Sequence, residues 1–316
     1  MTPALHRERH LARSFSRLQT VPGQLDRFIE PFGPGLHHLF VLRLDGIEWV
    51  GRKILQHNES AGWHLSSLLQ PWMLLGHLIE WQWGNQGAVV YFRAVDEQEK
   101  HSAFHAALTQ PESEVRFPFP LMDKAGRESI CRANDWQCDA SLAARLNADE
   151  AHFREHCAAL LKTLSAPGAV ILDPACSTGE FIAHLAHALP DRQYLGSDRS
   201  ASMIEHALRR HGHGAVRFSL GDARLVAASG IRCDVLVLRF LNAEVMTRKD
   251  AQGLFTDLVA CVKPGGTILL FGHTPVLLGV PYLAQVWKLA LISRVAARPG
   301  RSELFQFYQL RMPLQW

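Results

Sequence analysis

The chain changes texture near its middle. From Ala169 onward, short apolar runs alternate with longer stretches whose apolar residues recur every three or four positions. The runs lie at 169–172, 193–196, 216–218, 234–238 and 267–271. Between the first two lies a segment such as Phe181-Ile182-Ala183-His184-Leu185, followed by Leu189. Continuous apolar runs belong to strands buried on both faces, and the wider spacing belongs to amphipathic helices. The alternation predicts successive βαβ units, hence an α/β domain with a parallel sheet covered on both sides. Residues 294–297 and 303–311 read as two further strands, with Pro299-Gly300 at the turn between them. They predict a C-terminal antiparallel hairpin on the parallel sheet.

The first part is punctuated differently. Pro31-Phe32-Gly33-Pro34-Gly35, Asp45-Gly46, Gly51 and Gly84 interrupt a stretch crowded with aromatic residues. Gln110-Pro111 through Pro118-Phe119-Pro120 breaks regularity again. Residues 141–165 then read as helices, with Asp149-Glu150 near a start and Pro167-Gly168 at the stop. The expected division is an accessory or cap domain over 1–135, mixed or mostly helical, and an α/β domain over 136–316. Arg7, Arg9, Arg13 and Arg17 are interleaved with His, Leu and Phe at helical spacing, the wet face of a short amphipathic helix. Most of Trp49, Trp63, Trp72, Trp81, Trp83, Tyr91 and Phe92 are expected to fill this domain's core or its interface, with a few rings capping a ligand pocket.

Composition narrows the function classes. Hydrophobic residues make up 47% of the 316 positions and charged residues 20%, enough to build a large core and too little charge for a disordered chain. The net charge of +3 comes without a clustered basic face, which argues against nucleic acid as a partner. Cys131, Cys138, Cys157, Cys176, Cys233 and Cys261 form no CxxC pair and no disulfide framework, as expected of reduced thiols in the cytoplasm. No apolar run reaches membrane-spanning length, and the N-terminus lacks the apolar stretch of a signal peptide. His37-His38 and the His211/His213 pair lack carboxylate or thiolate companions at ligand spacing, so no metal site is expected. A small-molecule partner fits this profile best.

The strongest chemical signal is the stretch from Ala169 through Asp173, Pro174, Ala175, Cys176, Ser177, Thr178 and Gly179 to Glu180. A buried strand enters a turn of small residues, and a helix begins near Glu180. Small residues let the backbone approach a ligand, and a helix N-terminus offers unpaired N–H groups. A nucleotide-like ligand or an amino-acid carboxylate suits that place. Asp198 then ends the second run, where a carboxylate can accept both hydroxyls of a ribose. Asp222 follows the third run, beside Ala223, where it can accept from an adenine amine. Either aspartate alone could equally be a helix cap. Both together, in phase with the turn, favour binding.

At these residues the sequence resembles class I SAM-dependent methyltransferases. The resemblance runs from about 140 to 316 and includes Val262-Lys263-Pro264-Gly265-Gly266, a structural turn in the family. It implies a Rossmann-like domain binding S-adenosyl-L-methionine (SAM). Asp173, Ala175, Cys176, Ser177 and Gly179 would hold the methionine part. Asp198 and neighbouring Arg199 would take the ribose side, with Met203 or Ser200 by the adenine. Asp222 and the Ala223 amide would read the adenine amine. The family turn carries three glycines, whereas Ala175 and Ser177 stand in the first two places here and only Gly179 remains. Pro174-Ala175-Cys176 also resembles the turn of adenine-specific DNA methyltransferases, but Arg239-Phe240-Leu241-Asn242 replaces their Asn/Asp-Pro-Pro-aromatic motif.

Ligands in open α/β sheets bind beyond the carboxyl ends of the strands. Residues after the fourth and fifth runs are therefore the candidates for the reacting centre. Arg239 can clamp a carboxylate of the substrate or of SAM, Asn242 can bond an amine or carbonyl, and His273 can act as base. Each also has a plainer reading. Glu244 can start a helix, Arg239 can pair with it, and His273 can be a loop residue. Three functions follow from the resemblance. The first is methyl transfer to a small molecule, in secondary metabolism. The second is cyclisation of SAM itself to azetidine-2-carboxylate with release of methylthioadenosine, on a layout similar to that of such cyclases. The third is a regulator that binds SAM without turnover.

Overall fold

The computed structural model describes residues 3–16, 18, 20–33, 35–58, 62–123, 125–148 and 150–314; Arg17, Pro34 and Asp149 lie outside them. The chain divides into two compact units. One takes in residues 1–130, 274–277 and 293–307, the other 131–273, 278–292 and 308–316.

The first unit contains α1 (Pro3–Ser16), β1 (Leu25–Pro31), β2 (Leu39–Leu44), β3 (Ile47–Arg52), β4 (Gln56–Asn58), β5 (Gly62–His64), β6 (Leu74–Gly84), β7 (Gly87–Ala94), α2 (Glu97–Ala107) and β8 (Glu114–Arg116). Six strands form an antiparallel sheet in the order β1-β7-β6-β3-β2-β8, and β4 pairs with β5 separately. Of the two expectations for this region, mixed or mostly helical, the mixed one describes it, with strands predominating. Asp45-Gly46 and Gly84 mark hairpins, whereas Gly51 lies inside β3. Asp45 and Gly46, which join β2 to β3, both have positive φ (50° and 76°), the backbone that matches the twist of two paired strands.

Phe40, Leu42, Trp49 and Phe92 of the sheet pack with Phe104 of α2. The amphipathic N-terminal helix is present, with Leu11 and Phe15 buried. Its third buried residue is an acid, Glu8. Arg52 Nη1 donates to Glu8 Oε2 at 3.0 Å, and Arg52 Nε donates to Glu30 Oε2 at 2.5 Å. The aromatic expectation needs correction. Trp49 and Phe92 are buried, but Trp63, Trp72, Trp81 and Trp83 are each more than 40% exposed. The distal half of β6 is exposed on both faces, so Trp81 packs edge-on against Trp83 and Phe119, and Trp83 tilts against Phe119, instead of entering the sheet core.

The second unit opens with α3 (Ala140–Ala148) and α4 (Ala151–Leu164). The alternating elements follow: β9 (Val170–Asp173), α5 (Glu180–Ala188), β10 (Gln193–Asp198), α6 (Ala201–His211), β11 (Val216–Leu220), α7 (Ala223–Ala228), β12 (Cys233–Leu238), α8 (Arg248–Val259) and β13 (Val262–Phe271). After α9 (Val280–Val286) come β14 (Ala290–Ala297) and β15 (Leu304–Arg311), a hairpin hydrogen-bonded into this sheet whose residues 293–307 are counted with the first unit. The order is β11-β10-β9-β12-β13-β15-β14, with the first five strands parallel. This is the predicted α/β sheet with a C-terminal hairpin. β12 runs Val235 to Leu238 at no more than 1% exposure, which is why its sequence reads as an unbroken apolar run. The chain winds outward from β9 to β11, then returns to start again at β12. That reversal opens a crevice beyond the ends of β9 and β12, the usual place for a ligand in such sheets. Among the described residues, no helix is long and apolar enough to cross a membrane.

Candidate active site at the strand switch point

β9 delivers Asp173, fully buried, to the rim of the crevice. The turn that follows is held by Cys176 N donating to Ser197 O (2.7 Å) and Gly179 N donating to Cys176 O (3.0 Å). Ser177 and Gly179 both have left-handed backbone, with φ of 54° and 76°. Gly179 caps α5, and a Cβ there would meet Phe218 at 2.7 Å and Ala207 at 2.9 Å, so glycine is required by space as well as by conformation. Ser177 adopts the strained geometry without glycine's freedom. Its amide points at Asp198 Oδ2 (2.9 Å), and its hydroxyl meets Met203 Sδ at 3.6 Å.

Asp198, at the end of β10, accepts from Ser177 N through one oxygen and from Ser200 N (2.8 Å) through the other. Burial pushes its carboxyl pKa up, opposed by those two amides. Gly221 N donates to Asp198 O (3.0 Å) and so ties the end of β11 to that of β10. Asp222 caps α7 by accepting from Arg224 N (2.9 Å), and Ala223 is buried behind it. Arg199 is exposed.

Around β12 and β13 a charged network closes the crevice floor. Arg239 Nε donates to Asp173 Oδ2 at 3.1 Å, and its Nη1 pairs with Glu150 at the start of α4. The guanidinium lies 4.6 Å from the ring centre of Phe181. Glu150 also faces His273 Nε2 at 3.4 Å, and that nitrogen lies 3.1 Å from Leu146 O. Burial raises the Glu150 carboxyl, but Arg239 and His273 outweigh it and hold the pKa down at about 2. Burial likewise raises Asp173, with Arg239 pulling back; here burial prevails. The clamp expected of Arg239 is thus engaged by the chain's own carboxylates. Asn242, 2% exposed, donates through Nδ2 to Arg239 O (2.7 Å), and its Oδ1 is buried without a hydrogen-bond partner. Gly272 leaves room for it: a Cβ there would come within 1.9 Å of Asn242 Nδ2.

The structure therefore brings Asp173, Ala175, Cys176, Ser177, Gly179, Asp198 and Met203 together around one turn, and forms a second cluster in which Glu150 joins Arg239 to His273 and the Arg239 carbonyl holds Asn242. Glu150 and Asn147, whose Oδ1 accepts from Thr178 Oγ1 at 3.4 Å, were not foreseen as site residues. Their only sequence signal was an acid placed at a helix start.

The donor set fits SAM. A ribose diol can use the remaining lone pairs of Asp198. Asp173 and Glu150 face two guanidinia, Arg239 and Arg154, whose Nη1 lies 4.0 Å from Glu150 Oε2, so the cluster is close to charge-balanced and suits a zwitterionic amino-acid end. The orphaned Asn242 Oδ1 suits an amine.

A methyltransferase domain model matches residues 171–266, the stretch from β9 into β13. Isonocardicin synthase of Nocardia uniformis subsp. tsuyamanensis is 30% identical over 303 residues, covering 93% of this chain and 98% of that one. The chain belongs to the isonocardicin synthase family, on the class I SAM-dependent methyltransferase fold. Solved structures are more distant. An O-methyltransferase family protein from Burkholderia thailandensis is 16% identical, with TM-score 0.44; the alignment covers 59% of this chain and 64% of that one, just under two thirds. A magnesium protoporphyrin IX methyltransferase from Synechocystis PCC 6803 with bound SAM is 17% identical, with TM-score 0.42, over 56% of this chain and 88% of that one. The cofactor of this fold family is SAM.

Proposed function

We propose that the protein is a SAM-dependent methyltransferase acting on a small molecule in secondary metabolism. The observation that carries the proposal is the Asp198 bridge, which links the Ser177 amide to the end of β10 in a chain that matches a biosynthetic synthase along nearly its whole length. When bound, SAM supplies a sulfonium whose attached carbons are electrophilic. The protein's share is alignment, exclusion of water and proton removal. Asp198 orients the ribose, and Asp173 with the 175–179 turn holds the methionine end. His273, after β13, takes a proton from the acceptor, while Asn242 positions it.

A second reading places the reacting centre at the γ-carbon of the methionine chain. Two observations favour it: the polar cluster of Glu150, Asp173, Arg239 and Asn242 gathers where that chain would lie, and the full-length relative is named a synthase. The nucleophile is then either SAM's own amine, giving azetidine-2-carboxylate, or an acceptor molecule. Both release methylthioadenosine.

The test is incubation of purified protein with SAM, alone and with candidate small acceptors, followed by mass spectrometry. S-adenosylhomocysteine appearing only with an acceptor supports methyl transfer. Methylthioadenosine supports the γ-carbon reading, and its appearance without acceptor identifies cyclisation. Intact SAM under every condition, with SAM still bound, would leave the regulator as the answer.

A further inference from the structure

We propose that residues 131–138 form a strap across the cofactor cleft and that Trp136 is a cofactor-contacting residue. In this assignment its indole N–H donates to an acceptor atom on the adenosine half of SAM. The proposal rests on the SAM reading of the site.

The strap is pinned at both ends within the second unit. Cys131 N donates to Glu244 O at 2.7 Å, beyond β12, and Cys138 N donates to Ser202 Oγ at 3.0 Å, in the first turn of α6. Between these anchors Arg132 and Asp135 close a tight turn on themselves. Arg132 N donates to Asp135 Oδ2 (2.8 Å) and Asp135 N to Arg132 O (2.9 Å). The following residues continue over the same crevice. Leu146 meets His273, Asn147 meets Thr178, and Glu150 meets Arg239. Residues 131–148 and Glu150 thus touch the segments that follow β9, β10, β12 and β13.

Trp136 lies two positions before the Ser202 anchor, so its backbone lies within about 7 Å of Cys138. The Ser202 anchor therefore brings its backbone into the neighbourhood of the α6 turn that carries Met203 and follows Asp198. The residue is half-buried, and its Nε1 is buried without a hydrogen-bond partner. An indole nitrogen is a donor only, and a buried donor left unpaired is costly. The ring nitrogens of adenine and the oxygens of ribose are acceptors, and Asp198 draws the ribose to this side. Among the described residues Trp136 is an aromatic donor of this kind on the segment spanning the cleft, and no motif pointed to it.

The test uses the full chain labelled with 15N and S-adenosylhomocysteine as probe. The indole cross-peak lost in Trp136→Phe identifies the residue among the eight tryptophans. Adding the probe is expected to shift that peak and slow its exchange with solvent. Trp136→Phe is expected to weaken the probe's affinity about five- to tenfold by calorimetry, the loss of one hydrogen bond. A peak unmoved at saturation, with affinity within twofold of wild type, would overturn the assignment. Asp198→Ala separates the two failures: if it binds the probe as wild type does, the SAM reading of the site has failed, and Trp136 with it. Should Trp136→Phe not fold, amide exchange over 131–138 in the wild-type chain decides. Slowing on addition of the probe supports the strap, and unchanged exchange overturns it.

Discussion

Replacing Glu150 with Gln removes one negative charge and little volume from the most enclosed charge cluster of the second unit. The Glu150 side chain is 10% exposed, that of Arg239 7% and that of Asp173 0%. The Glu150 carboxyl is held at about 2 against an ordinary 4.5, chiefly because Arg239 and His273 overcome the cost of burial. At about 1.4 kcal/mol per unit, that depression corresponds to roughly 3 kcal/mol of stability at neutral pH. Breaking a buried ion pair by removing one partner costs about 3–5 kcal/mol, and the lower end applies because Arg239 keeps Asp173. The two routes agree on about 3 kcal/mol. Because the folded pKa lies below the unfolded one, the contribution is present above pH 4.5 and is lost as pH falls through about 2. Linkage then leaves a gap between wild type and Glu150→Gln of about 1.4 kcal/mol at pH 3. Urea unfolding followed across pH reads it, with attention to whether the two units melt separately. A gap below 0.5 kcal/mol at pH 7, or one that does not narrow toward low pH, would refute the assignment of Glu150 as the ionised partner.

Other expectations are simpler to state. Asp198→Ala should weaken binding of S-adenosylhomocysteine at least tenfold by calorimetry while leaving the fold's circular dichroism intact. Gly179→Ala should destabilise by about 2 kcal/mol or more, because the new Cβ meets Phe218 and Ala207 at left-handed φ; thermal melting measures it. Ser177→Gly should raise stability by about 0.5–1 kcal/mol by relieving its left-handed backbone, read in the same melt. Arg52→Ala should cost the first unit about 3–5 kcal/mol, since it strands the buried Glu30 and Glu8 carboxylates, and urea titration would show it.

The α/β half was readable in the sequence because its strands are buried on both faces, so β12 and the end of β13 appear as plain apolar runs. The turn after β9 was readable for another reason: Asp173 through Gly179 lie within a few positions of one another, and Asp198 closes onto Ser177 from the next strand. The first unit was harder. Burial there varies along single strands, with the distal half of β6 in solvent, and exposed Trp81 and Trp83 look like core residues when only their hydrophobicity is considered. Glu150 was overlooked because it acts on Arg239 across 89 positions, and nothing local marks a carboxylate at a helix start that will meet a guanidinium from beyond β12. Trp136 announces itself only through an unpaired atom, which no pattern of residue types can display.

The turn after β9 separates two requirements that three glycines in a motif conceal. At position 175 the backbone is not left-handed, so what matters there is only that the side chain be small, and alanine suffices. At 177 a left-handed dihedral is needed, and serine tolerates it at some strain. At 179 both dihedral and room are needed, and glycine stays. Glycine counts are therefore a poor guide to where such sites exist. Chains with a small residue, then a residue that tolerates left-handed backbone, then glycine can carry the same turn unnoticed.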